Sequence, residues 1–195
     1  MKRTLVVFAR QPRLGAVKAR LAAGIGASAA LAFYRRTLAS TLRRVARDAR
    51  WRTVLAATPD RAARSARPWP LRLPRRAQGA GDLGARMGRA LRAFPSGAVC
   101  IVGADIPALD APHVWRAFQA LSRAEVVFGP ARDGGYWLVG ARGTGRRLPL
   151  FADVRWSTRH ALADTRANLT RRRVALVDTL DDIDDAASYR RWKKR

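Results

Sequence analysis

The sequence predicts an α/β fold of three layers, in which helices cover both faces of a mainly parallel β-sheet. Short apolar runs alternate with amphipathic segments along the chain, from residue 5 to a last helix near Asp185. This alternation is typical of strands that are joined by crossover helices. The length of 195 residues fits one domain, and 48% hydrophobic residues suffice for its core. We therefore expect one domain over residues 1–195.

Strands are predicted where short β-branched and aromatic runs are bounded by Gly, Pro or charged residues. The first run, residues 5–9, ends at Arg10, Gln11 and Pro12 and is followed by a loop. The other runs are residues 51–57, 99–102, 126–128, 136–139 and 174–177.

Helices are predicted where apolar residues recur at intervals of three and four. The predicted helices are residues 28–49 with Ser28 as the N-cap, 82–94, one that starts at Pro112 with Asp110 as its cap, 158–172, and one from about Asp185. The Arg- and Pro-rich passage 60–76 is expected to be a loop with one short helix.

The charge balance is strongly basic: 39 Lys and Arg against 14 Asp and Glu give a net charge of +25. Such a charge attracts nucleic acid, anionic membranes and phosphorylated small molecules. The basic residues are scattered from Arg3 to Arg195, which favours solvated surface over a specific nucleic-acid interface. No apolar segment approaches the roughly 18 residues of a membrane span. The lone Cys100 lies in an apolar run and is expected to be a buried strand residue in a reducing compartment, which predicts a cytoplasmic location.

Ligands of such sheets bind beyond the carboxyl ends of the strands, so the loops after strands are the candidate site. The loop after the first strand presents Arg10, turns at Pro12 and Gly15, and offers Lys18 and Arg20 as a helix begins. This arrangement suits the phosphates of a nucleotide. The alternative is a basic surface loop. The sequence lacks the GxxxxGK[ST] pattern, which excludes a P-loop.

Two further loops carry candidate carboxylates. Asp105 follows the strand at 99–102 and precedes Pro107, a position that suits Mg²⁺ or Mn²⁺ bound to phosphate oxygens. Asp133 precedes Gly134 and Gly135, where backbone can approach a ligand, although a D-G turn is also an ordinary hairpin signal. The acidic segment 180–189 can cap a helix, bind metal or balance the basic charge.

The motifs FARQPRLGAVKARL, QGAGDLGARM, GADIPAL and GPARDGGYWLVG occur in this order, followed by WST and DDID. Together they resemble the small GT-A-type glycosyltransferases of the arsenosugar type, and are similar to molybdenum-cofactor and phospholactate guanylyltransferases. The likeness covers nearly the whole chain. Two positions depart from the family pattern: Ala19 replaces a usual Thr, and DDIDDAASY replaces Asp-Ile-Asp-Thr-Pro-Glu-Asp.

The resemblance implies a nucleotide-diphospho-sugar transferase-like fold, a nucleotide-activated donor, and Mg²⁺ or Mn²⁺ as cofactor. The implied donor residues are Gly15, Lys18 and Arg20 for the phosphates, with Arg10 beside them, and Gln78, Gly81, Asp82 and Gly84 for the base or ribose. The implied metal ligands are Asp105 and Asp184. The implied acceptor residues are Gly134, Gly135, Tyr136, Trp156 and Ser157, with Asp133 as the acceptor-activating base.

These observations together predict a metal-dependent transferase that passes a glycosyl group from a nucleotide sugar to a small acceptor. One alternative is nucleotidyl transfer to a phosphorylated small molecule, with release of pyrophosphate. Another is a nucleic-acid-binding module driven by the net charge of +25. The donor base, the acceptor, the stereochemistry and the oligomeric state are not fixed by the sequence.

Overall fold

A computed structural model describes residues 1–65, 69–94 and 96–194. The strands of this described chain are β1 Arg3–Arg10, β2 Arg52–Thr58, β3 Arg75–Ala77, β4 Ala98–Gly103, β5 Val126–Pro130, β6 Tyr136–Arg142 and β7 Val174–Leu176. They form one sheet in the order β3-β2-β1-β4-β6-β5-β7.

The sheet is mainly parallel, as the sequence predicts. Among the described strands only β6 runs against its neighbours, pairing antiparallel with both β4 and β5. In the central pair, β1 lies parallel to β4 with Phe8 opposite Gly103. The carboxyl ends of these two strands therefore meet at one edge of the sheet.

Helices cover both faces of the sheet, which confirms the three-layer prediction. The helices of the described chain are α1 Ala19–Ile25, α2 Ala27–Val45, α3 Leu83–Arg92, α4 Ala111–Ala120, α5 Ala161–Ala167 and α6 Ala186–Lys193. No helix among these residues is both long enough and apolar enough to cross a bilayer.

Alternate residues of the strands face opposite layers, because side chains alternate along a strand. Leu5 and Val7 of β1 pack in one core with Leu38 of α2, whereas Val6 packs in a second core with Met87 and Leu91 of α3. The same alternation occurs in β4, where Cys100 belongs to the first core. The expectation that Cys100 is buried in a strand is confirmed.

The helix predicted for residues 28–49 spans Ala27–Val45, and the prediction of Ser28 as its N-cap is wrong. The N-cap is Gly26, whose φ of 85° also ends α1. Because the short helix α1 runs directly into this turn, Ser28 is already inside α2. The predicted cap at Asp110 is confirmed, since its side chain accepts a hydrogen bond from the His113 amide at 3.2 Å.

The helix predicted for residues 158–172 is much shorter, Ala161–Ala167. Arg171 lies within the predicted range but has a φ of 60°, in the left-handed region, which a continuous right-handed helix excludes. In the passage 60–76, a 3₁₀ helix at Asp60–Ala63 matches the expected short helix. The strand β3 was missed there because it has three residues, two of them arginine. Residues 66–68 of this passage lie outside the described residues.

Candidate active site

The candidate site lies at the carboxyl ends of β1 and β4. In the sheet, β2 and β3 lie on one side of β1, whereas β4 and then β6 lie on its other side. Ligands of open α/β sheets bind at such a switch in strand order. The loop after β1 and the loop after β4 therefore share the crevice that the sequence singled out.

The loop after β1 is fixed at both ends. At its start, the Tyr34 hydroxyl accepts a hydrogen bond from the Arg10 amide and donates one to the Arg10 carbonyl, each at 2.9 Å. At its end, Lys18 adopts a φ of 52°, and α1 begins at the next residue. Gly15, with a φ of 72°, makes the turn between them. This path brings Lys18 and Arg20 back toward the end of β4.

Lys18 bridges two carboxylates that are distant in sequence. Its Nζ lies 2.6 Å from Asp105 Oδ2 and 2.6 Å from Asp184 Oδ1. The Lys18 side chain is 5% exposed, against 30% for Asp105 and 35% for Asp184. Arg20 forms an ion pair with the other oxygen of Asp184. Two of the predicted phosphate ligands are thus paired with both predicted metal ligands.

Burial and charge act in opposite directions on this pairing. Burial lowers the pKa of Lys18, but the charges of Asp105 and Asp184 outweigh it, and the pKa lies above its usual value. Burial raises the pKa of Asp184, but Lys18 and Arg20 outweigh that effect and hold the pKa below its usual range. Lys18 is therefore an ammonium and Asp184 a carboxylate at neutral pH.

Asp182 joins these two carboxylates, and the sequence analysis did not single it out. One oxygen each from Asp105, Asp182 and Asp184 lies within 4.8 Å of the others. Burial, with the charges of Asp184 and Asp105, raises the pKa of Asp182 to about 7. Three carboxylates this close repel one another, and a divalent cation relieves that repulsion. We call these three residues the carboxylate group.

The spacing of the acidic segment contained a signal for Asp182. Asp182 and Asp184 flank the buried Ile183. In an extended segment, residues two apart point to the same side, so an apolar residue between two aspartates directs both carboxylates away from the core. The adjacent Asp185 has a separate role, since its side chain and that of Ser188 cap α6 as a capping box.

A basic cavity of about 300 Å³ lies on one side of the carboxylate group. Arg10, Lys18, Arg20 and Tyr34 line it, together with Asp105 and Asp184. The predicted phosphate residues Arg10, Lys18 and Arg20 therefore do come together. Gly15 shapes the loop but is not among the residues that line this cavity in the described chain.

A second, aromatic cavity of about 260 Å³ adjoins the same carboxylates. Its walls include Phe8, Leu83, Met87, Tyr136 and Trp156. All three members of the carboxylate group reach it, as do Asp133, Gly135 and Ser157. Four of the five predicted acceptor residues thus share one cavity with the predicted base and the carboxylate group.

Gly134 contributes by packing instead. Its φ is 85°, and a Cβ atom there would lie 2.1 Å from the Arg159 carbonyl oxygen. Its own carbonyl accepts a hydrogen bond from the Leu162 amide at 3.0 Å. Only glycine permits this close approach, which holds the loop 131–135 against the segment before α5. Within that loop, the Gly135 amide donates to Asp133 Oδ1 at 2.9 Å.

The predicted base and ribose residues have structural contacts of their own. Gln78 Nε2 donates to the Ala56 carbonyl, and Asp82 caps α3 by accepting from the Ala85 amide. A Cβ atom on Gly84 would lie 2.8 Å from Trp156 Cζ2, so this glycine lets α3 approach Trp156 closely. In the described chain, Gln78, Gly81, Asp82 and Gly84 do not line the aromatic cavity, whereas Leu83 and Met87 do. A nucleotide role for the four residues stays a prediction.

The family model of uncharacterized proteins conserved in bacteria, DUF2064, matches residues 41–158. The match includes Asp105 and Asp133 but neither Lys18 nor Asp184. No curated protein matches the chain.

Solved structures extend the comparison to the whole fold. A candidate nucleotide-diphospho-sugar transferase from Desulfovibrio desulfuricans G20 is similar with a TM-score of 0.84 and 28% identity, over 95% of this chain and 84% of that one. A cytidylyltransferase from Leptospira borgpetersenii has a TM-score of 0.62 at 15% identity, over 99% and 85% of the two chains. The Rv0371c protein of Mycobacterium tuberculosis H37Rv, in a complex with manganese, has a TM-score of 0.52 at 19% identity, over 98% and 97%. The predicted nucleotide-diphospho-sugar transferase-like fold is confirmed.

Proposed function

The chain belongs to the DUF2064 family, and from that premise we propose that it is a divalent-cation-dependent transferase that moves a glycosyl group from a nucleotide sugar to a small acceptor. One observation carries the proposal. A basic cavity and an aromatic cavity meet at the carboxylate group, since Arg20, Asp105 and Asp184 line both. The reaction needs the same layout: an anionic leaving group on one side and an acceptor on the other.

The donor diphosphate is proposed to bind in the basic cavity. Arg10, Lys18 and Arg20 supply three cations there, and guanidinium groups bind phosphate oxygens with two parallel hydrogen bonds. During transfer, the bond between the sugar carbon and the diphosphate oxygen breaks, and negative charge develops on that oxygen. Cations that line the cavity stabilise this developing charge.

The acceptor is proposed to bind in the aromatic cavity. Tyr136 and Trp156 offer ring surfaces to the apolar faces of a small molecule. Asp133 is the proposed base: it takes the proton of the acceptor hydroxyl while that oxygen forms the bond to the sugar carbon. The products are the glycosylated acceptor and a nucleoside diphosphate, and Asp133 carries the released proton.

The residues present fit a divalent cation. Asp105, Asp182 and Asp184 form an all-oxygen donor set, which Mg²⁺ and Mn²⁺ prefer. When bound, such an ion supplies positive charge to the leaving diphosphate. The chain's own part is to hold the three carboxylates within 4.8 Å of one another before the ion arrives. The manganese complex of the structurally similar Mycobacterium tuberculosis protein supports the choice of a divalent cation.

Nucleotidyl transfer is the second candidate, favoured by the likeness to a cytidylyltransferase. The basic cavity suits a triphosphate as well as a diphosphate, since three cationic side chains line it. In that reaction a phosphorylated small molecule attacks the α-phosphate, and pyrophosphate leaves.

We propose that either reaction takes place in the cytoplasm, because Cys100 is a free, buried thiol, as is usual in a reducing compartment.

A melting panel tests the proposal. Nucleoside diphosphates, triphosphates and nucleotide sugars are added with and without Mg²⁺ or Mn²⁺. A ligand at a hundred times its Kd raises the free energy of unfolding by about 2.7 kcal/mol. A metal-dependent shift with nucleotide sugars, and release of nucleoside diphosphate on turnover, supports glycosyl transfer. A shift confined to one triphosphate, with release of pyrophosphate, supports the second candidate. No metal-dependent shift with any nucleotide contradicts both.

A further inference from the structure

The Lys18 ammonium lies where a cation bound to Asp105 and Asp184 has to lie. Nζ is 2.6 Å from an oxygen of each carboxylate. The Lys18 side chain is almost fully buried at 5% exposure, so water screens its two ion pairs only weakly. Lys18 itself has a left-handed backbone, with a φ of 52°, at the residue before α1.

A divalent ion and the ammonium cannot use these oxygens together. Mg²⁺ binds oxygen ligands at about 2.0–2.1 Å, so an ion bound to both carboxylates is within a few ångströms of Nζ. Two positive centres at that separation repel strongly in a partly buried site. One of them has to leave before the other binds.

We infer that Lys18 and the divalent cation exchange at Asp105 and Asp184, so that cation binding releases Lys18 to the donor diphosphate. This inference rests on the proposed function. Lys18 already lines the basic cavity with Arg10 and Arg20, and its flexible stem can turn Nζ toward an anion there. Asp182 makes no ion pair with Lys18 in the described chain, so its carboxylate can bind the cation before and after Lys18 leaves.

The exchange couples the two ligands. Without an anion in the basic cavity, the cation has to displace an ammonium from two ion pairs, and cation binding is weak. With an anion there, the displaced ammonium gains a new partner. Coupling between two sites is reciprocal, so the cation strengthens donor binding by the same factor. Lys18 thereby favours retention of the cation when the donor is present.

The first test measures Mn²⁺ binding by calorimetry in the absence of nucleotide. Lys18→Met removes the one cation that bridges both carboxylates and leaves the ion pair of Arg20 with Asp184, and we expect Mn²⁺ to bind about tenfold more tightly than to the wild type, within the usual range of coupling. Arg10→Met is the matched control, because Arg10 lines the same cavity without an ion pair to the carboxylate group in the described chain. It removes the same charge, and its effect is expected to stay below about threefold.

The second test uses inorganic pyrophosphate without metal. Asp105→Asn frees Lys18 from one partner, so pyrophosphate is expected to bind several-fold more tightly. In the Lys18→Met background, the same Asp105→Asn change is expected to gain much less. Such non-additivity is what a double-mutant cycle detects when two residues interact. Circular dichroism checks folding, and Lys18→Gln replaces Lys18→Met if the apolar side chain destabilises the protein.

The outcomes separate this inference from the function. Equal Mn²⁺ affinities of wild type and Lys18→Met, or equal gains from Asp105→Asn in both backgrounds, would overturn the exchange alone. A tenfold gain with Arg10→Met would also overturn it, because the effect would then be general electrostatics. If neither wild type nor variants bind Mn²⁺ or pyrophosphate, the proposed function itself fails.

Discussion

The aspartates of this chain form two kinds of site. At the surface, each aspartate of one set pairs with a single arginine: Asp48 with Arg50, Asp164 with Arg155, and Asp178 with Arg116. At the ends of β1 and β4, one oxygen from each of three aspartates lies within 4.8 Å of the others; Lys18 pairs with two of these aspartates, and Arg20 pairs with one. In the first region the charge of each aspartate is neutralised by its own arginine. In the second region three aspartate carboxyls are crowded together.

The difference appears in the protonation of the carboxyls. Hydrogen bonds from Arg155 hold the pKa of Asp164 down at about 2, whereas burial and neighbouring carboxylates raise the pKa of Asp182 to about 7. In a surface pair, the arginine already balances the charge of the aspartate, so no ligand is needed. The carboxylate group is held together by the fold against its own repulsion, and it gains most from an added cation. Strongly perturbed carboxyls of this kind are typical of functional sites.

Removal of Asp105 is expected to have the largest effect. Asp105→Asn keeps the shape of the side chain but removes a charge that a divalent ion needs. Mn²⁺ affinity and turnover are expected to fall at least about 100-fold. This loss is larger than the loss usually caused by substituting residues that contact a metal's ligands and not the metal itself. Calorimetry and a product assay measure the two losses, and an unchanged melting temperature shows that the fold remains. Wild-type Mn²⁺ affinity in this variant would remove Asp105 from the site.

Asp182 provides the next largest effect and a pH dependence. Its pKa of about 7 lies above the value near 3.9 of an unfolded chain, so the folded protein holds one more proton between these values. The contribution of Asp182 to the stability of the metal-free protein is therefore lost as pH rises from about 4 to 7. Mn²⁺ affinity rises over the upper part of that range, because the ion needs the carboxylate.

Asp182→Asn removes both trends. At pH 8 the metal-free variant is expected to be more stable than the wild type by about 1–2 kcal/mol, since the crowded charge is gone and the group is partly open to water. Mn²⁺ binding weakens at the same time. Denaturant titrations at pH 5 and pH 8 measure the difference. A variant that is less stable than the wild type at pH 8 would contradict the proposed repulsion.

The basic surface is expected to act only weakly on nucleic acid. Its arginines are dispersed along the sequence from Arg3 to Arg195, and three of them are paired with Asp48, Asp164 and Asp178. Binding to DNA or RNA is expected to be unselective and to weaken steeply as salt rises. Gel-shift titrations with two unrelated sequences at physiological salt measure this. Tight binding to one sequence only would favour the nucleic-acid alternative.

Substitution of an aspartate in a surface ion pair is expected to have the smallest effect, and it is the control for the changes in the carboxylate group. Asp178→Asn removes the partner of Arg116 but leaves the carboxylate group intact. We expect the free energy of unfolding to change by less than about 1 kcal/mol, which is the usual worth of an exposed ion pair. Mn²⁺ affinity is expected to stay at the wild-type value. A tenfold loss of affinity here would mean that distant charges, and not contact, determine the binding.

Sequence reasoning predicted the fold class and the edge of the sheet that carries the site. Apolar runs mark buried strands, and the residue after such a run must lie at a strand end, which is how Arg10 and Asp105 were found. The failures are local. Ser28 had the chemistry of a cap but the wrong position, because a seven-residue helix preceding it could not be seen in the pattern.

The partners within the site were harder to predict. Asp182 and Asp184 approach Asp105 from a segment after β7, and only the folded topology brings them together. Lys18 was predicted to hold phosphates, whereas its contacts in the structure are with carboxylates 87 and 166 residues away. Residue type and spacing identify groups able to bind an anion or a cation. They do not show which oppositely charged group each of these residues contacts in the folded protein.

The reversed strand β6 has a consequence for the order in which the molecule assembles. Because β5 and β6 form a hairpin, the loop with Asp133 is built from neighbours in sequence, and hairpins close in about 1–10 μs. The Lys18 contact to Asp184 has to close a loop spanning 166 residues, which costs more chain entropy. We expect the hairpin to form early and the carboxylate group to come together late. Denaturant should therefore release Mn²⁺ before the circular-dichroism signal of the sheet is lost, and a coincident loss of both would show that the two regions unfold as one unit.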